Sequence, residues 1–456
     1  MRAITAKTPP SPDTKLLTGI MRDFQRDPLR YLTDCARQHG DFVRARFLYF
    51  HCYFLFHPDH IEEMLVTQAP NFIKGASFRT PLFERVVGNG LLSSEGNFWK
   101  RQRRLAQPAF HRQRINAYAE TMVEYAERST TSWQQNTSLD IHQAMMQLAL
   151  EVVVKTLFDT DIADQASDVG DAMEIVVEPF KSQATFKWIL DNRFPTPTRR
   201  RFYRSAKTLD NIIFKMIHDR RQSGEDRGDL LSMLLEARDE DGSAMDDQQL
   251  RDEVMNIFIA GHETTALALT WSWFLLSEHP EIERKLHEEL DSVLHGRRPT
   301  LHDLSALQYT EKIVKEVLRL YPPAWGLNRE AVEECEIGGY RVAAKSQFYG
   351  FQWVIHRDAR YFPEPDRFIP ERWTEDFVKQ LPRYAYFPFG GGARLCIGNS
   401  FAMMEAVLML ATIAQKFRLR LLPDQNIHPV PSITLRPNRE MMVQVEKREI
   451  VMSSNR

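Results

Sequence analysis

The sequence predicts a mainly α-helical protein with a small β region. Helical periodicity of the apolar residues dominates residues 58–320. Strand-like runs lie on both sides of that stretch. Phe42–Phe47 alternates apolar and polar side chains like a half-exposed strand, and residues 53–56 are its expected partner. Residues 338–351 have the pattern of further short strands, so we expect a helical fold with a small sheet.

A long central helix is the main predicted element. Asp246 and Asp247 are expected to cap its start, no proline interrupts it, and Pro280 ends it. At a rise of about 1.5 Å per residue, this helix is about 50 Å long and crosses a whole domain. Its apolar run at residues 266–276 is too short to span a bilayer.

Two shorter helices are also predicted. Residues 199–222 have a helical pattern with a polar face, which ends near Gly224. Residues 400–415 have a helical pattern that follows a loop containing Cys396.

Length and composition favour one large domain. A chain of 456 residues suggests about two or three domains, yet we find no linker-like composition shift, internal repeat or low-complexity run. We therefore expect an N-terminal arm at residues 1–27, proline-rich at residues 9–12, and a single domain at residues 28–456. The net charge of −2 gives no reason to expect nucleic-acid binding.

The cysteines and the N-terminal residues favour a cytoplasmic location. The four cysteines, Cys35, Cys52, Cys335 and Cys396, have no paired spacing, which fits a reducing compartment without disulfides. Residues 1–20 carry charges among prolines and threonines, without the apolar core of a signal peptide or a membrane anchor. We therefore expect a cytoplasmic protein without a membrane anchor.

The most informative motif is a glycine-rich loop before a helix. The run FGGGARLCIG at residues 389–398 places Cys396 behind three glycines. Glycine lets the backbone turn tightly and approach a flat ligand closely. The N–H groups and dipole of the following helix stabilise a thiolate, which is a soft metal ligand. For an isolated Cys-x-Gly, a buried structural cysteine is the alternative interpretation.

This loop resembles the haem-binding loop of the cytochrome P450 monooxygenases, F-x-x-G-x-R-x-C-x-G. The resemblance implies the cytochrome P450 fold, with the long central helix over one face of haem b and the cysteine loop on the other face. It implies that Cys396 is the axial ligand of the haem iron, whose thiolate favours O–O cleavage. The other residues of the pattern are then haem-binding: Phe389, Gly392, Arg394 and Gly398.

The central helix contains a second match. Its run AGHETT at residues 260–265 resembles the A-G-x-[DE]-T segment that the family places over the distal haem face. Gly261 then allows close approach to the ring and a local distortion of the helix. Glu263 and Thr264 supply an acid and an alcohol for proton delivery, and are the candidate catalytic residues. Alone, a solvated glutamate and a threonine bonded to its own backbone would be the simpler interpretation.

Two further matches concern the support of the haem. Glu316 and Arg319, with the later Arg372, resemble a buried charge triad that has a structural role in the family. On its own, Glu-x-x-Arg is a common surface pair. Trp99 and Arg103 lie four apart on one helix face and offer N–H donors to the haem propionates. By resemblance, the donors to the propionates are Trp99, Arg103, Arg329 and Arg394.

The resemblance also implies a lipophilic substrate. It places five apolar residues around the substrate, Leu92, Phe258, Ala260, Ala324 and Ile433. Ordinary core packing is the alternative for each of them. The central helix and the surroundings of Leu92 are similar to those of soluble fatty-acid hydroxylases, and terpenoid hydroxylases could contain the same residues. We therefore expect hydroxylation of a fatty acid or a terpenoid.

Electrons are expected from a separate protein. No flavin or iron–sulfur segment follows the cysteine helix, and the cysteine spacing cannot hold a cluster. The expected donor is a ferredoxin-type partner that receives electrons from NAD(P)H through a reductase. A basic region suits such an acidic partner, while a solvated charged face is the alternative. This region consists of Lys100, Arg101, Arg104, Arg112 and Arg114.

Two rival functions are open at this point. A peroxygenase or dehydratase with the same fold uses peroxide and needs no activation of O₂. Glu263 and Thr264 argue against it, because such relatives tend to lack this pair. A non-catalytic haem-binding sensor is the other rival, and the apparent proton relay and apolar pocket argue against it.

Overall fold

The structure, a computed structural model, describes residues 8–12, 19–47, 50–159, 166–178, 194, 196–239 and 242–449. Over these residues the chain is mainly helical with small sheets, as the sequence predicts. The α-helices of this part are, in chain order, α1 (Met21–Arg26), α2 (Pro28–His39), α3 (Pro58–Glu62), α4 (Pro81–Val87), α5 (Gly96–Ala106), α6 (Arg112–Ala117), α7 (Ala119–Ser129), α8 (Ile141–Phe158), α9 (Ala166–Val177), α10 (Pro197–Ser223), α11 (Leu230–Glu236), α12 (Asp247–Glu278), α13 (Pro280–Leu294), α14 (Gln308–Leu320), α15 (Gln352–Ile355), α16 (Glu375–Gln380) and α17 (Asn399–Ala414).

The strands are short and lie mostly outside the helical stretch. In chain order they are β1 (Phe42–Phe47), β2 (Phe50–Leu55), β3 (Phe72–Lys74), β4 (Ser138–Asp140), β5 (Leu327–Ala331), β6 (Cys335–Ile337), β7 (Tyr340–Val342), β8 (Gln347–Gly350), β9 (Phe417–Leu421), β10 (Pro429–Pro431), β11 (Leu435–Pro437) and β12 (Met442–Lys447). The largest sheet has five strands in the order β1-β2-β8-β5-β3. Its β1 and β2 are antiparallel, with Phe42 opposite Leu55, as their alternating pattern predicts. A sheet β4-β12-β9 and the pairs β6-β7 and β10-β11 complete the β region of the described residues.

Most predicted elements are confirmed, with shifted ends. Strand β2 begins at Phe50 rather than at residue 53. Helix α10 covers the predicted residues 199–222 and ends at Gly224, whose φ of 63° lies in the left-handed region that glycine favours. Strands β3 and β4 interrupt the stretch predicted as helical, and the sequence does not predict β5, β6 or β9 to β12. Their few residues give too little periodicity to distinguish a strand from a loop.

Residues of the predicted N-terminal arm already pack against the large sheet. Ile20 is buried, and its N–H donates to the carbonyl of Arg46 over 2.9 Å. The N–H of Arg44 donates to the carbonyl of Pro10 over 2.8 Å. Residues N-terminal to residue 28 therefore cover an edge of the large sheet. The division of the chain into an arm and a single domain stays a prediction.

The central helix α12 has the predicted limits. The Asp246 side chain accepts the N–H of Gln249 over 2.7 Å and caps the first turn. The 32 residues of this helix span about 48 Å. Helices α8, α14 and α17 pack around it, so that even Trp271 and Trp273 are buried. None of the helices in the described ranges has the length and apolar character that crossing a membrane requires.

Candidate active site

The cysteine loop presents a thiol just before α17. The backbone N–H of Cys396 donates to the carbonyl of Phe389 over 3.0 Å, and the Cys396 side chain is accessible. The surrounding chain desolvates this position and raises the pKa of the thiol, although the N–H of Gly398 and the charge of Arg103 oppose that effect. The predicted stabilisation of a thiolate by the helix start is therefore present but outweighed. Coordination to a metal ion would supply the missing stabilisation, because a coordinated thiol is deprotonated.

Two glycines of the loop are required by contacts within the chain. Gly392 has a φ of 63°, and a Cβ there would lie 2.0 Å from the carbonyl oxygen of Leu65. A Cβ at Gly391 would lie 2.3 Å from the ring of Tyr384. At Gly398, by contrast, a Cβ would meet nothing closer than 3.7 Å. Close packing of the loop on its own protein explains Gly391 and Gly392 without a ligand.

One face of α12 is accessible in the middle of the molecule. Ala260 is exposed and Thr264 is partly exposed, although their neighbours His262, Glu263 and Thr265 are buried. The Thr264 hydroxyl donates to the carbonyl of Ala260 over 2.7 Å. Residues four apart share a helix face, so a methyl group and a hydroxyl lie side by side on this face.

A short segment connects this helix face to the cysteine loop. The N–H of Leu92 donates to Oδ1 of Asn256 over 2.8 Å, one turn before Ala260. Two residues after Leu92, the carbonyl of Ser94 accepts a hydrogen bond from Arg394 over 2.9 Å. Two residues of extended chain cover about 7 Å. The accessible face of α12 and the cysteine loop therefore border the same interior region.

Gly261 is required by helix packing. A Cβ at Gly261 would lie 2.7 Å from Val153 of α8. Helix α12 passes through this position as a continuous α-helix, so the expected local distortion of the helix is not observed. The glycine lets two helices approach closely, which is a different use from the close approach to a ring that we expected.

Glu263 is held in an ion pair with the C-terminal strands. Its buried carboxylate accepts hydrogen bonds from the Thr434 hydroxyl and from the Arg436 guanidinium. Burial acts to raise the pKa of Glu263, but the charge and hydrogen bonds of Arg436 and Thr434 outweigh it, so the pKa is lowered. Glu263 is therefore ionised and paired. It can pass a proton toward Thr264 only after it leaves Arg436.

A second buried carboxyl group lies beside the accessible helix face. Glu405 of α17 accepts a hydrogen bond from the Thr265 hydroxyl over 2.8 Å, and its other oxygen has no partner within the described part of the chain. Burial raises the pKa of Glu405 to about 8. This bond connects α17 with α12 next to Thr264. Sequence reasoning assigned no role to Glu405 or to its bond with Thr265, because 140 positions separate the two residues and Glu405 belongs to no recognisable motif.

Three largely buried cations, Lys74, Arg329 and Arg394, form what we call the cation cluster. Burial lowers the pKa of each, that of Arg329 to about 10, and the two guanidinium charges further lower the pKa of Lys74. Glu95 faces the cluster, pairs with Arg394 and accepts the backbone N–H of Lys74 over 2.6 Å. The Nη1 atom of Arg394 is buried and has no partner among the residues described.

The cation cluster fits the carboxylates of a haem. With Lys74 protonated, three positive charges face the one negative charge of Glu95, and the net charge matches two propionates, which would in turn favour the protonated form of Lys74. The Arg394 guanidinium lies 4.4 Å from the ring centre of Trp99, which places the indole at the cluster. Sequence reasoning missed Lys74 and Glu95, because a single lysine in β3 and a glutamate before α5 give no local signal.

The bonds of Arg103 go to the cysteine loop and to the end of its own helix. Its Nη1 donates to the carbonyl of Leu395 over 2.9 Å, and its Nε donates to Gln107 over 3.0 Å. Its charge acts on the Cys396 thiol. Of the four predicted donors to the propionates, the structure therefore brings three together and places Arg103 beside the sulfur.

Four of the five predicted pocket residues are at least partly accessible. Ala260 and Ala324 are exposed, Ile433 is 38% exposed, and Leu92 is half-buried. The indole N–H of Trp325 donates to the carbonyl of residue 432 over 2.9 Å, which holds the neighbourhood of Ala324 against that of Ile433. These accessible residues are all apolar.

Phe258 differs from the other four. It is buried and lines a small apolar cavity with Val254 of the same helix and with side chains of α8, α9 and α10. Phe258 precedes Ala260 by two positions, which is about 200° around an α-helix. The prediction for Phe258 is therefore corrected: this ring packs between helices on another side of α12.

The predicted charge triad is present and buried. Arg319 donates two hydrogen bonds to Glu316, at 2.9 and 2.8 Å, and Arg372 donates a third at 2.9 Å. Arg319 also donates to the carbonyl of His356 over 2.9 Å. The His356 ring in turn accepts the N–H of Phe387 over 2.9 Å. The triad is thus connected to the chain that leads into the cysteine loop.

The predicted basic region is partly neutralised. Arg101 and Arg104 both pair with Asp239. Of the remaining members, Lys100 and Arg114 are exposed. The side chain of Arg112 lies outside the described part of the structure. This region is therefore less basic than the sequence suggests.

Comparison with known proteins assigns the chain to a family. The family model for cytochrome P450 matches residues 9–445. The chain therefore belongs to the cytochrome P450 family and is a monooxygenase of that family, whose members use a thiolate-ligated haem. Members of the family act on lipophilic substrates with electrons from redox partners.

Several relatives match over nearly the whole chain. Cyclooctatin synthase of Streptomyces melanosporofaciens is 40% identical over 92% of this chain and 91% of its own length. Cyclooctat-9-en-7-ol 5-monooxygenase of the same organism is 37% identical over 93% and 90%, and pentalenene oxygenase of Streptomyces avermitilis is 33% identical over 96% and 97%. The crystal structure of the cytochrome P450DA heme domain superposes with a TM-score of 0.87 at 26% identity, over 97% of this chain and 98% of that chain. This similarity confirms the predicted fold.

Proposed function

We propose that the protein holds haem b with Cys396 as the axial ligand of the iron and hydroxylates a terpenoid. The observation on which this proposal rests is the cation cluster near an accessible thiol. Two excess positive charges and a soft sulfur donor match the two parts of a haem that a protein binds, its propionates and its iron.

The residues around the haem have different roles. Trp99, Arg329, Arg394 and Lys74 bind the propionates, and Glu95 orients Arg394. Arg103 stabilises the thiolate by its charge and holds the loop through the Leu395 carbonyl. The remaining residues of the loop hold the backbone around the Cys396 sulfur in place: Phe389, Gly392 and Gly398.

When bound, the haem supplies the redox chemistry that activates O₂ and splits the O–O bond. The chain supplies the proton path on the other face. The Thr264 hydroxyl, which donates to the Ala260 carbonyl in the structure, would turn to hold a water molecule at the accessible face of α12. Glu263 leaves Arg436, takes up a proton from solvent and passes it to this water, and so returns to the carboxylate form. The ion pair with Arg436 keeps Glu263 charged between deliveries.

The substrate is a terpenoid rather than a fatty acid. The accessible pocket residues are apolar, which suits either class. The printed names of two similar proteins describe oxidation of cyclooctat-9-en-7-ol and of pentalenene, and these names favour a terpenoid.

The cysteines support proposals for the electron donor and for the location of the protein. We propose a ferredoxin-type donor with a reductase that uses NAD(P)H, because the cysteines other than Cys396 are isolated and cannot hold a cluster. The exposed Lys100 and Arg114 remain candidates for its docking site. Free, buried thiols at Cys35, Cys52 and Cys335 fit a reducing cytoplasm.

A panel of cyclic terpenoids and fatty acids tests the function. Terpenoids are expected to displace water from the haem and shift its Soret band. With NADPH, a ferredoxin, its reductase and isotopically labelled O₂, they should yield a product with one labelled oxygen atom. Products from fatty acids alone would assign the other substrate class. Products with peroxide but not with NADPH would indicate a peroxygenase, and binding without any product would indicate a sensor.

Thr264→Ala is expected to uncouple the reaction. Haem binding and substrate binding should be nearly unchanged, because Thr264 bonds only its own helix in the structure. NADPH should still be consumed, but much of the oxygen should appear as hydrogen peroxide. The measurement is the ratio of product to NADPH. Thr156→Ala is the matched control, since the Thr156 hydroxyl makes the same bond to the carbonyl four residues earlier, at 2.7 Å, inside the core. Full coupling in Thr264→Ala would reduce this threonine to a helix residue.

A further inference from the structure

Side chains of α12 bind the backbone of the segment that contains Leu92. Three backbone N–H groups of this segment each donate to a different side chain of the helix. The bonds are Asn89 to Asp252 at 2.8 Å, Leu91 to Glu253 at 3.0 Å and Leu92 to Asn256 at 2.8 Å. In return, the side-chain amide of Asn256 donates to the carbonyl of Val87 over 2.6 Å. We call residues 87–92 the latched segment.

Two glycines bring the latched segment close to the helix. A Cβ at Gly88 would lie 2.1 Å from the Asp252 carboxylate, and one at Gly90 would lie 2.4 Å from the Asn256 amide. Gly88 also has a φ of 57°, a conformation that other residues rarely adopt. The segment is therefore shaped to fit these two side chains, and any bulkier residue would push it off the helix.

The bonds replace regular secondary structure between α4 and α5. Glu253 is fully buried and Asn256 nearly so, which excludes water from the bonds. An N–H that loses its acceptor in such a place loses its hydrogen bond without regaining one to water. Burial raises the pKa of Glu253 to about 8. At neutral pH it is an uncharged acceptor, so glutamine is its close substitute.

Leu92 lies between two anchors. On one side Asn256 holds its N–H, and on the other side Arg394 of the cation cluster holds the carbonyl of Ser94 over 2.9 Å. The Leu92 side chain is half-buried, and its backbone is held one helical turn before the exposed Ala260. The position of Leu92 is thus set by Asn256 and Arg394, two polar residues that bind the backbone on either side of it.

We propose that Asp252, Glu253 and Asn256 are positioning residues that set the place of Leu92 and thereby which substrate carbon is oxidised. This inference rests on the proposed function, because it takes the region beside Ala260 as the substrate pocket. The three side chains act through the backbone of the latched segment. A shift of about 1 Å in a group that orients a substrate is enough to change its reaction.

Paired variants test this role in the haem-loaded protein. Asn256→Leu and Glu253→Met remove acceptors at nearly constant volume, while Glu253→Gln keeps one. Ser272→Ala is the control, because within the described residues the Ser272 hydroxyl bonds only its own helix, at the carbonyl of Ala268 over 2.7 Å. The measurements are hydrogen–deuterium exchange of residues 87–94 without substrate and the distribution of hydroxylated products.

In Asn256→Leu and Glu253→Met, we expect amide exchange in the latched segment about tenfold faster and a changed ratio of hydroxylated positions. Glu253→Gln and Ser272→Ala should match the wild type in both measurements. Unchanged amide exchange in both acceptor-removing variants would contradict the claim that these side chains hold the latched segment. Faster exchange with unchanged product ratios would overturn the positioning role. Should Asn256→Leu fail to fold, the Glu253→Met and Glu253→Gln pair decides. Absence of product from the wild type would instead overturn the proposed function, and exchange alone would then decide whether these side chains hold the segment.

Discussion

Glu316→Ala is expected to disrupt the buried charge triad that holds the chain leading into the cysteine loop. The buried Glu316 carboxylate accepts two hydrogen bonds from Arg319 and one each from Arg372, the Trp373 indole and the Ile369 backbone. Its removal leaves two guanidinium charges in the protein interior without a counter-charge. Breaking a buried pair in this way costs about 3–5 kcal/mol, which is a large part of the roughly 5–15 kcal/mol that stabilises a typical protein.

Thermal unfolding and the haem content of the purified protein measure this effect. Glu316→Ala should unfold at a much lower temperature and retain little haem. Glu311→Ala is the matched control on the same helix, because Glu311 pairs with Lys315 at the surface over 2.8 Å. An exposed pair of this kind contributes at most about 1 kcal/mol. Equal stability and haem content in the two variants would contradict the structural role of the triad.

Short motifs made part of the site predictable. The contact of Glu316 with Arg319 follows from their spacing on one helix, where residues three apart are neighbours. The long central helix was predictable because no proline interrupts it and an aspartate caps it. In each case the sequence pattern and the contact that it predicts involve residues close together in the chain, so local geometry is enough to predict the contact.

Contacts between distant segments were not predictable. Glu263 pairs with Arg436, 173 positions later, and the short strand that contains Arg436 has no periodicity of its own. Lys74 lies opposite Arg329 because β3 pairs with β5, and it meets Arg394 through Glu95. Such partners are chosen by the tertiary fold, and the sequence around them gives no sign of it.

The direction of a side chain on a helix was also hard to predict. Phe258 and Ala260 are both apolar and two residues apart, yet they lie on different sides of α12. Helix α12 is buried on most of its sides, and both polar and apolar side chains are among its buried residues. It therefore has no single apolar stripe from which to read its orientation. For this reason the resemblance placed both residues in one pocket, while the structure places Phe258 among the packed helices.

The spectrum of the reduced, CO-bound protein tests most directly whether Cys396 is the haem ligand. Thiolate ligation should give a strongly red-shifted Soret band, and Cys396→Ser should lose it. The other three thiols are buried in the chain, so Cys35→Ser, Cys52→Ser and Cys335→Ser should keep the band. Retention of the red-shifted band in Cys396→Ser, or its loss in one of the three other variants with haem still bound, would contradict the account.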